Sequence, residues 1–137
     1  MAQRIFRLNL QLSTETLTAA TPEIEALGLE PKAFFVLDGV EAQPYPATLA
    51  HHLSMPKPTI TAHLKALESA GLVTRAIDPA DLRRHRIALT TTGRVVLDKA
   101  RGSLARHYGD RLARLDGENV QHFARLLETL TREPGRS

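Results

Sequence analysis

The chain has 137 residues, 42% of them hydrophobic and 24% charged, with a formal net charge of +3 and no cysteine. That length and balance suit one globular domain with a real core and exclude an intrinsically disordered chain. Without cysteine there are no disulfides, thiolate zinc sites or thiol redox sensors; with no long apolar run and no signal-peptide core, the expectation is a cytoplasmic protein without a membrane anchor.

The charge is unevenly spread. Residues 55–90 hold six Lys and Arg against three acids, and residues 91–137 hold nine against six. Residues 1–54 hold three against six. A basic middle and end suit a polyanion, because each neutralised phosphate releases counterions. An ordinary solvated surface would carry the same charges, so charge alone does not decide.

Met1 to Ala20 carries Ile5, Phe6, Leu8, Leu10, Leu12 and Leu17 at mixed spacing and reads as a helix with a frayed start. Thr21-Pro22-Glu23 has the form of an N-cap followed by proline at the first helical position, which predicts a new short turn closed by Gly28. Glu30-Pro31 opens a helix whose Ala33, Phe34, Val36, Leu37 and Val40 give a broad apolar face, as in a central helix. Gly39 and Pro44-Tyr45-Pro46 end it.

Pro46 starts the next helix, with Leu49, Ala50 and Leu53 inward, and residues 54–57 form a turn. Pro58 begins a further helix that stops at Gly71. Leu72 to Arg75 has strand character, Asp78-Pro79-Ala80-Asp81 is a turn-rich tip, and a second strand returns from Arg86 to Leu89 with Ile87 and Leu89 on one face. Thr90 to Gly93 precedes a long helix from about Arg94 to Leu115, with an apolar line through Val96, Ala100, Leu104, Tyr108, Leu112 and Leu115. Asp116 caps a last helix with the stripe Val120, Phe123, Leu126, Leu127 and Leu130. The tail from Glu133 to Ser137 is expected to be loose.

The stretch from Tyr45 to Thr90 has the layout of a winged helix-turn-helix. Such a motif needs a small residue where its helices approach and an apolar one where the second packs back. Ala50 and Ile60 stand in those places, with Ser54 at the turn position where glycine is common. A helical period from Ile60 puts Leu64 and Leu67 inside and turns Pro58, Thr61, Ala62, Lys65 and Ser69 outward, with Thr59 at the edge. Small and polar side chains are what a groove-reading helix requires: Thr and Ala touch thymine methyls, and Lys65 suits a phosphate or guanine. A bland surface helix has a similar face. The hairpin adds an independent signal, since Asp81 can orient Arg83 by a charge-assisted bond, and Arg84, His85 and Arg86 follow. An oriented arginine in a narrow minor groove reads DNA shape.

LAHHLSMPKPTITAHLKALESAGLVTR followed by DPADLRRHRIALTTTGR closely resembles the MarR family of bacterial and archaeal transcription regulators. The likeness covers Leu49 to Thr90, and the flanking helices agree in layout only. The resemblance implies a mainly α fold with a small β-hairpin wing (α+β). Residues 1–30 and 93–137 would form dimerisation helices around a winged helix-turn-helix at 31–92, all in one intertwined domain. It implies a homodimer, with Ile5, Phe6, Leu8, Leu10, Val120, Phe123, Leu127 and Leu130 among the subunit contacts. The partner is double-stranded DNA with a pseudo-palindromic operator, its half-sites about one helical turn apart. Lys57, Pro58, Thr59, Thr61, Ala62, Lys65, Arg75, Arg83 and Arg84 are the candidate DNA-binding residues, with Asp81 orienting the wing. Pro56 stands where a serine usually caps the recognition helix, and Pro58 removes one N–H that could meet a phosphate, so phosphate anchoring shifts toward Lys57 and Arg75.

Six histidines invite a metal reading: His51, His52, His63, His85, His107 and His122. None pairs with another four residues on, and Arg111 follows His107 where the family's zinc sensors carry a second histidine. A metal-responsive regulator is therefore the lesser alternative, and no cofactor or metal is expected. His51 and His52 are expected on the outer side of a helix or in a ligand cleft. The resemblance also permits a small-molecule effector that releases DNA by population shift, which makes a repressor the expected output. An enzyme is disfavoured, because there is no nucleophile elbow, phosphate loop or metal triad. A winged module that binds only protein is the remaining alternative, with Thr61, Lys65, Arg83 and Arg84 counting against it.

Overall fold

The computed structural model describes residues 1–132, in the order α1 (Ala2–Ala26), α2 (Pro31–Gly39), α3 (Pro46–Leu53), α4 (Lys57–Ser69), β1 (Val73–Asp78), β2 (Asp81–Leu89), α5 (Thr91–Leu112) and α6 (Gly117–Thr131). The expected loose tail lies outside the described residues. The mainly α fold with one antiparallel hairpin is as expected.

Two expectations for the first helix are corrected. Its start is regular from Ala2, and no new turn begins at Thr21: α1 runs through with Pro22 inside it. Proline costs one backbone hydrogen bond and crowds the preceding turn. Here the buried Thr16, Ala20 and Ile24 bracket Pro22 on the opposite, packed face, and that packing against α5 keeps the helix whole. The Thr21 hydroxyl, expected as a cap, instead donates back to the Leu17 carbonyl at 2.7 Å. Gly28 does end the helix, at φ +83°: its N–H bonds Glu25 O and the Leu29 N–H reaches Ile24 O. This pair of bonds is a Schellman closure.

The same closure recurs twice in the helix-turn-helix. At Gly71 (φ +75°) the Leu72 N–H reaches Leu67 O at 2.9 Å and ends α4. At Ser54 (φ 52°) the Met55 N–H reaches Ala50 O at 3.0 Å and ends α3. Ser54 is the one non-glycine residue with positive φ among the described residues, and it holds the turn position where glycine is the easier occupant.

One core joins the elements. Ile24 of α1, Val36 and Leu37 of α2, Leu49 of α3, Ile60 and Leu64 of α4, and Leu97 of α5 are all essentially inaccessible to solvent. α2 lies at its centre, as its broad apolar face requires. Gly39 lets α3 come close, since a Cβ there would stand 2.6 Å from Leu49 Cδ1.

α5 differs from expectation in start and face. It begins at Thr91 rather than near Arg94, because the Thr90 side chain caps it by accepting the Gly93 N–H at 2.9 Å. It ends at Leu112, leaving Leu115 outside and exposed. Its buried line is Gly93, Leu97, Ala100 and Ser103, so Leu97 rather than Val96 is fully buried. Of the expected line, Ala100 is buried and Val96 and Leu104 pack partly buried against the core, while strict four-residue spacing drifts around a 3.6-residue helix and passes over Leu97. α6 is capped by Asp116, whose carboxylate accepts the Asn119 N–H at 2.8 Å, as expected. It buries none of its residues fully.

The hairpin strands are longer than expected. β1 continues to Asp78 and β2 starts at Asp81, so Arg83 to Arg86 lie in a strand. Only Ile87 of β2 is buried, so most of the strand has no apolar alternation to betray it. The register runs from Val73 opposite Leu89 to Ile77 opposite His85, then slips so that Asp78 faces Asp81. Leu82, Arg83 and Arg84 are the extra residues, and they bulge at the tip.

Candidate nucleic-acid interface

α4 begins at Lys57 after Pro56, which offers no side-chain cap, with Pro58 in the first turn. Ile60, Leu64 and Leu67 are buried, and Pro58, Thr61, Ala62, Lys65 and Ser69 are exposed on the other side. Thr59 is half-buried at the edge. The exposed Thr61 hydroxyl donates to the Lys57 carbonyl at 3.0 Å, which leaves its lone pairs able to accept.

An open cleft of about 380 Å³ lies between α4 and the hairpin. It gathers Lys57, Thr61, Arg75, Arg83 and Arg84, five of the residues selected from sequence, together with Tyr45 and His85. Pro58, Thr59, Ala62 and Lys65 lie along α4 outside this lining. The cleft is strongly cationic and opens between a helix and a hairpin tip, a shape and charge suited to a phosphate ridge.

The arginines of the wing play different parts. The Arg83 side chain is 93% exposed, and among the described residues it meets only Asp81 Oδ1, 3.4 Å from Nε, which also accepts the Arg83 backbone N–H at 3.0 Å. Arg84 is engaged three ways. Its guanidinium carbon sits 4.0 Å over the Tyr45 ring, Nη2 is 3.4 Å from Asp78 Oδ2, and Nε is 3.8 Å from Asp81 Oδ2. Arg75 leans toward Glu68 at 3.8 Å.

Sequence reading gave the orienting role to Asp81 and missed Asp78, which is the buried carboxylate of the wing, 2% exposed. Asp78 Oδ1 accepts the Ala80 N–H at 3.0 Å and Oδ2 accepts the Tyr45 hydroxyl at 2.7 Å. The Ala80 N–H first, then the Tyr45 hydroxyl, holds the Asp78 carboxyl below the usual carboxylate range. The Tyr45 hydroxyl is pushed up because it donates to that carboxylate. The signal was faint: an aspartate before Pro79-Ala80 is an ordinary turn residue, and Tyr45 lies 33 residues away.

A second polar cluster joins α1 to α5. Glu23 accepts from the Ser103 hydroxyl at 2.5 Å, lies 2.9 Å from His107 Nε2 and pairs with Arg106. Glu15 pairs with Arg111 at 2.5 Å. The Ser103 hydroxyl, then His107, then Arg106 lower the Glu23 carboxyl to about 2. A shallow groove of about 420 Å³ beside it is lined by Glu23, Leu27, Lys99, Gly102, Ser103 and Arg106. His51 and His52 lie exposed on α3. Among the described residues no three His, Cys, Asp or Glu side chains stand together as a metal site would need, and no helix is long and apolar enough to cross a membrane.

Glu23 gives a pH prediction. A carboxyl whose folded pKa is depressed contributes stability above its unfolded pKa and loses it as pH falls toward the folded value. Glu23→Gln is expected to lower the melting temperature at pH 6–7. The gap to the parent protein should narrow as pH falls from about 4.5 toward 2, read by thermal unfolding at matched ionic strength.

The MarR family model matches residues 40–85, which hold α3, α4 and the hairpin as far as His85. Among solved structures, the transcriptional repressor CouR bound to a 23-mer DNA duplex is 31% identical to the chain, with a TM-score of 0.71. That match covers 96% of this chain and 92% of CouR. The chain belongs to the MarR family.

Other solved structures carry the same fold. An S. aureus MepR mutant bound to an oligodeoxyribonucleotide is 25% identical, with a TM-score of 0.65 and 96% of both chains covered. The apo form of MarR from E. coli is 21% identical, with a TM-score of 0.76 over 92% of this chain and 96% of that one. No curated protein matches the sequence. The family-model match ends within β2, and the cationic cleft is lined wholly by residues of the span it covers.

Proposed function

We propose that this MarR family protein is a homodimeric, sequence-specific double-stranded DNA-binding transcription regulator that acts as a repressor. The observation that carries this is the cationic cleft between α4 and the wing, with Arg83 exposed at its rim and held only by Asp81 among the described residues. α4 would lie in the major groove, with Thr59, Thr61, Ala62 and Lys65 toward base edges. Lys57 and Arg75 would meet phosphates, and Arg83 would enter the adjacent minor groove. Arg84 is spoken for by Asp78, Asp81 and Tyr45, so it supports the wing more than it reads DNA.

The dimer would join residues 1–30 and 93–137 of two copies around the winged region at 31–92. Exposed Ile5, Phe6, Leu8 and Leu10 on α1, and Leu126 and Leu130 on α6, are more apolar surface than a solitary chain carries without use. Val120, Phe123 and Leu127 are half-buried beside them. Two copies about a twofold axis would read a pseudo-palindromic operator. A small-molecule effector that prefers the arrangement unable to bind DNA would release it. Work on chromosomal DNA puts the protein in the cytoplasm, and no catalytic role is assigned.

The test is duplex binding by fluorescence anisotropy, using a site found by genomic footprinting. Arg83→Ala is expected to weaken operator binding by about 5- to 150-fold at fixed salt with little change in melting temperature. Unchanged affinity would remove Arg83 from the interface.

A further inference from the structure

The wing is buried against the body of the protein at two levels, with the exposed Arg75–Glu68 pair between them. At its base, Val73 and Ile87 are buried in the core, and the Ile87 N–H donates to the Pro44 carbonyl at 2.8 Å. Thr74, Arg75, Ala76 and Ile77 are exposed along the rest of β1, and on β2 Leu82 to Arg86 are exposed as well. Burial returns at Asp78, next to the tip, and what covers it is Tyr45. Tyr45 is also the N-cap residue of α3, and its carbonyl accepts the Leu49 N–H at 2.9 Å. One side chain therefore connects the first helix of the helix-turn-helix to the far end of the wing.

We propose that Tyr45 is a positioning residue for DNA recognition: by bonding Asp78 and stacking under Arg84, it sets the angle of the wing against α4 and so delivers Arg83 to the minor groove. Two independent contacts support the assignment. The hydroxyl spends its proton on a carboxylate that is almost inaccessible to water, and the ring face takes the Arg84 guanidinium at 4.0 Å. Arg84 follows Arg83 directly at the bulge, so holding one guanidinium fixes the backbone that presents the other. Without the hydroxyl, the distal hairpin keeps the Arg84 stack on the ring and the surface pair Arg75–Glu68, which restrain it less.

The inference rests on the DNA-binding reading, and a double-mutant cycle separates the two. Tyr45→Phe, Arg83→Ala and the double variant are compared with the parent protein on one operator duplex at fixed salt. Tyr45→Phe keeps the ring beneath Arg84, so the chain should stay folded, with circular dichroism and melting temperature as the check. Tyr45→Phe is expected to weaken binding by roughly 3- to 10-fold when Arg83 is present and by less than about 2-fold in the Arg83→Ala background. A simple loss of folded protein would lower both backgrounds equally, and that outcome overturns the proposal. So does full affinity in Tyr45→Phe alongside a weakened Arg83→Ala, which would leave the DNA-binding reading standing. Absence of any duplex binding by the parent protein would instead sink that reading, and this one with it.

Discussion

Gly93→Ala is expected to destabilise the protein by about 3 kcal/mol, at the upper end of what overpacking costs. A Cβ at residue 93 would stand 1.9 Å from the Leu72 carbonyl oxygen and 2.8 Å from its carbon. Neither side can yield cheaply. Leu72 follows the αL residue that closes α4, and its carbonyl accepts the Thr90 N–H at 3.1 Å. The Thr90 hydroxyl donates to the Gly71 carbonyl at 2.6 Å and accepts the Gly93 N–H. Those bonds tie the end of α4, the base of the wing and the start of α5 into one knot. Urea unfolding should show a lower midpoint with an unchanged slope. A loss under about 0.5 kcal/mol would mean that α5 slides freely on the wing, against the packing described here.

Phe6→Asp and, separately, Leu130→Asp are expected to convert a dimer to a monomer and to cut operator affinity by about 100-fold or more. Phe6 is 66% exposed on the single chain and Leu130 77%, so neither change empties the core. A carboxylate at either place would be buried against apolar surface of the second copy, where an unpaired charge is costly. Losing the twofold partner removes one of two linked half-site contacts, and the affinity lost is that of the linkage. Light scattering after gel filtration reads the mass, and anisotropy reads the binding. Dimers that persist in both variants would move the interface elsewhere.

Much of the site was legible because its logic is local. Ile60, Leu64 and Leu67 follow a helical period, and Thr61, Ala62 and Lys65 fall outward by the same arithmetic. The Thr59 to Arg75 run and the DPADLRR run also sit within motifs of fixed spacing. What escaped depends on distant partners. Asp78 shows its importance only when Tyr45 arrives from before α3, and Glu23 meets Ser103 and His107 across 80 and 84 residues. Pro22 is locally a helix breaker, and its cost is outweighed by Ala20 and Ile24 packing on either side. On α5, Val95, Val96 and Leu97 stand side by side in the sequence, and only packing makes Leu97 the fully buried one, with Val96 partly buried beside it. Arg84 looked equivalent to Arg83 until Tyr45 and Asp78 claimed it.

The most direct measurement is sedimentation of the protein with its operator duplex over a series of salt concentrations. Two chains should travel with each duplex. If Lys57 and Arg75 of both copies each neutralise a phosphate, log affinity should fall against log salt with a slope of about −4. One chain per duplex, or an affinity indifferent to salt, would contradict the account.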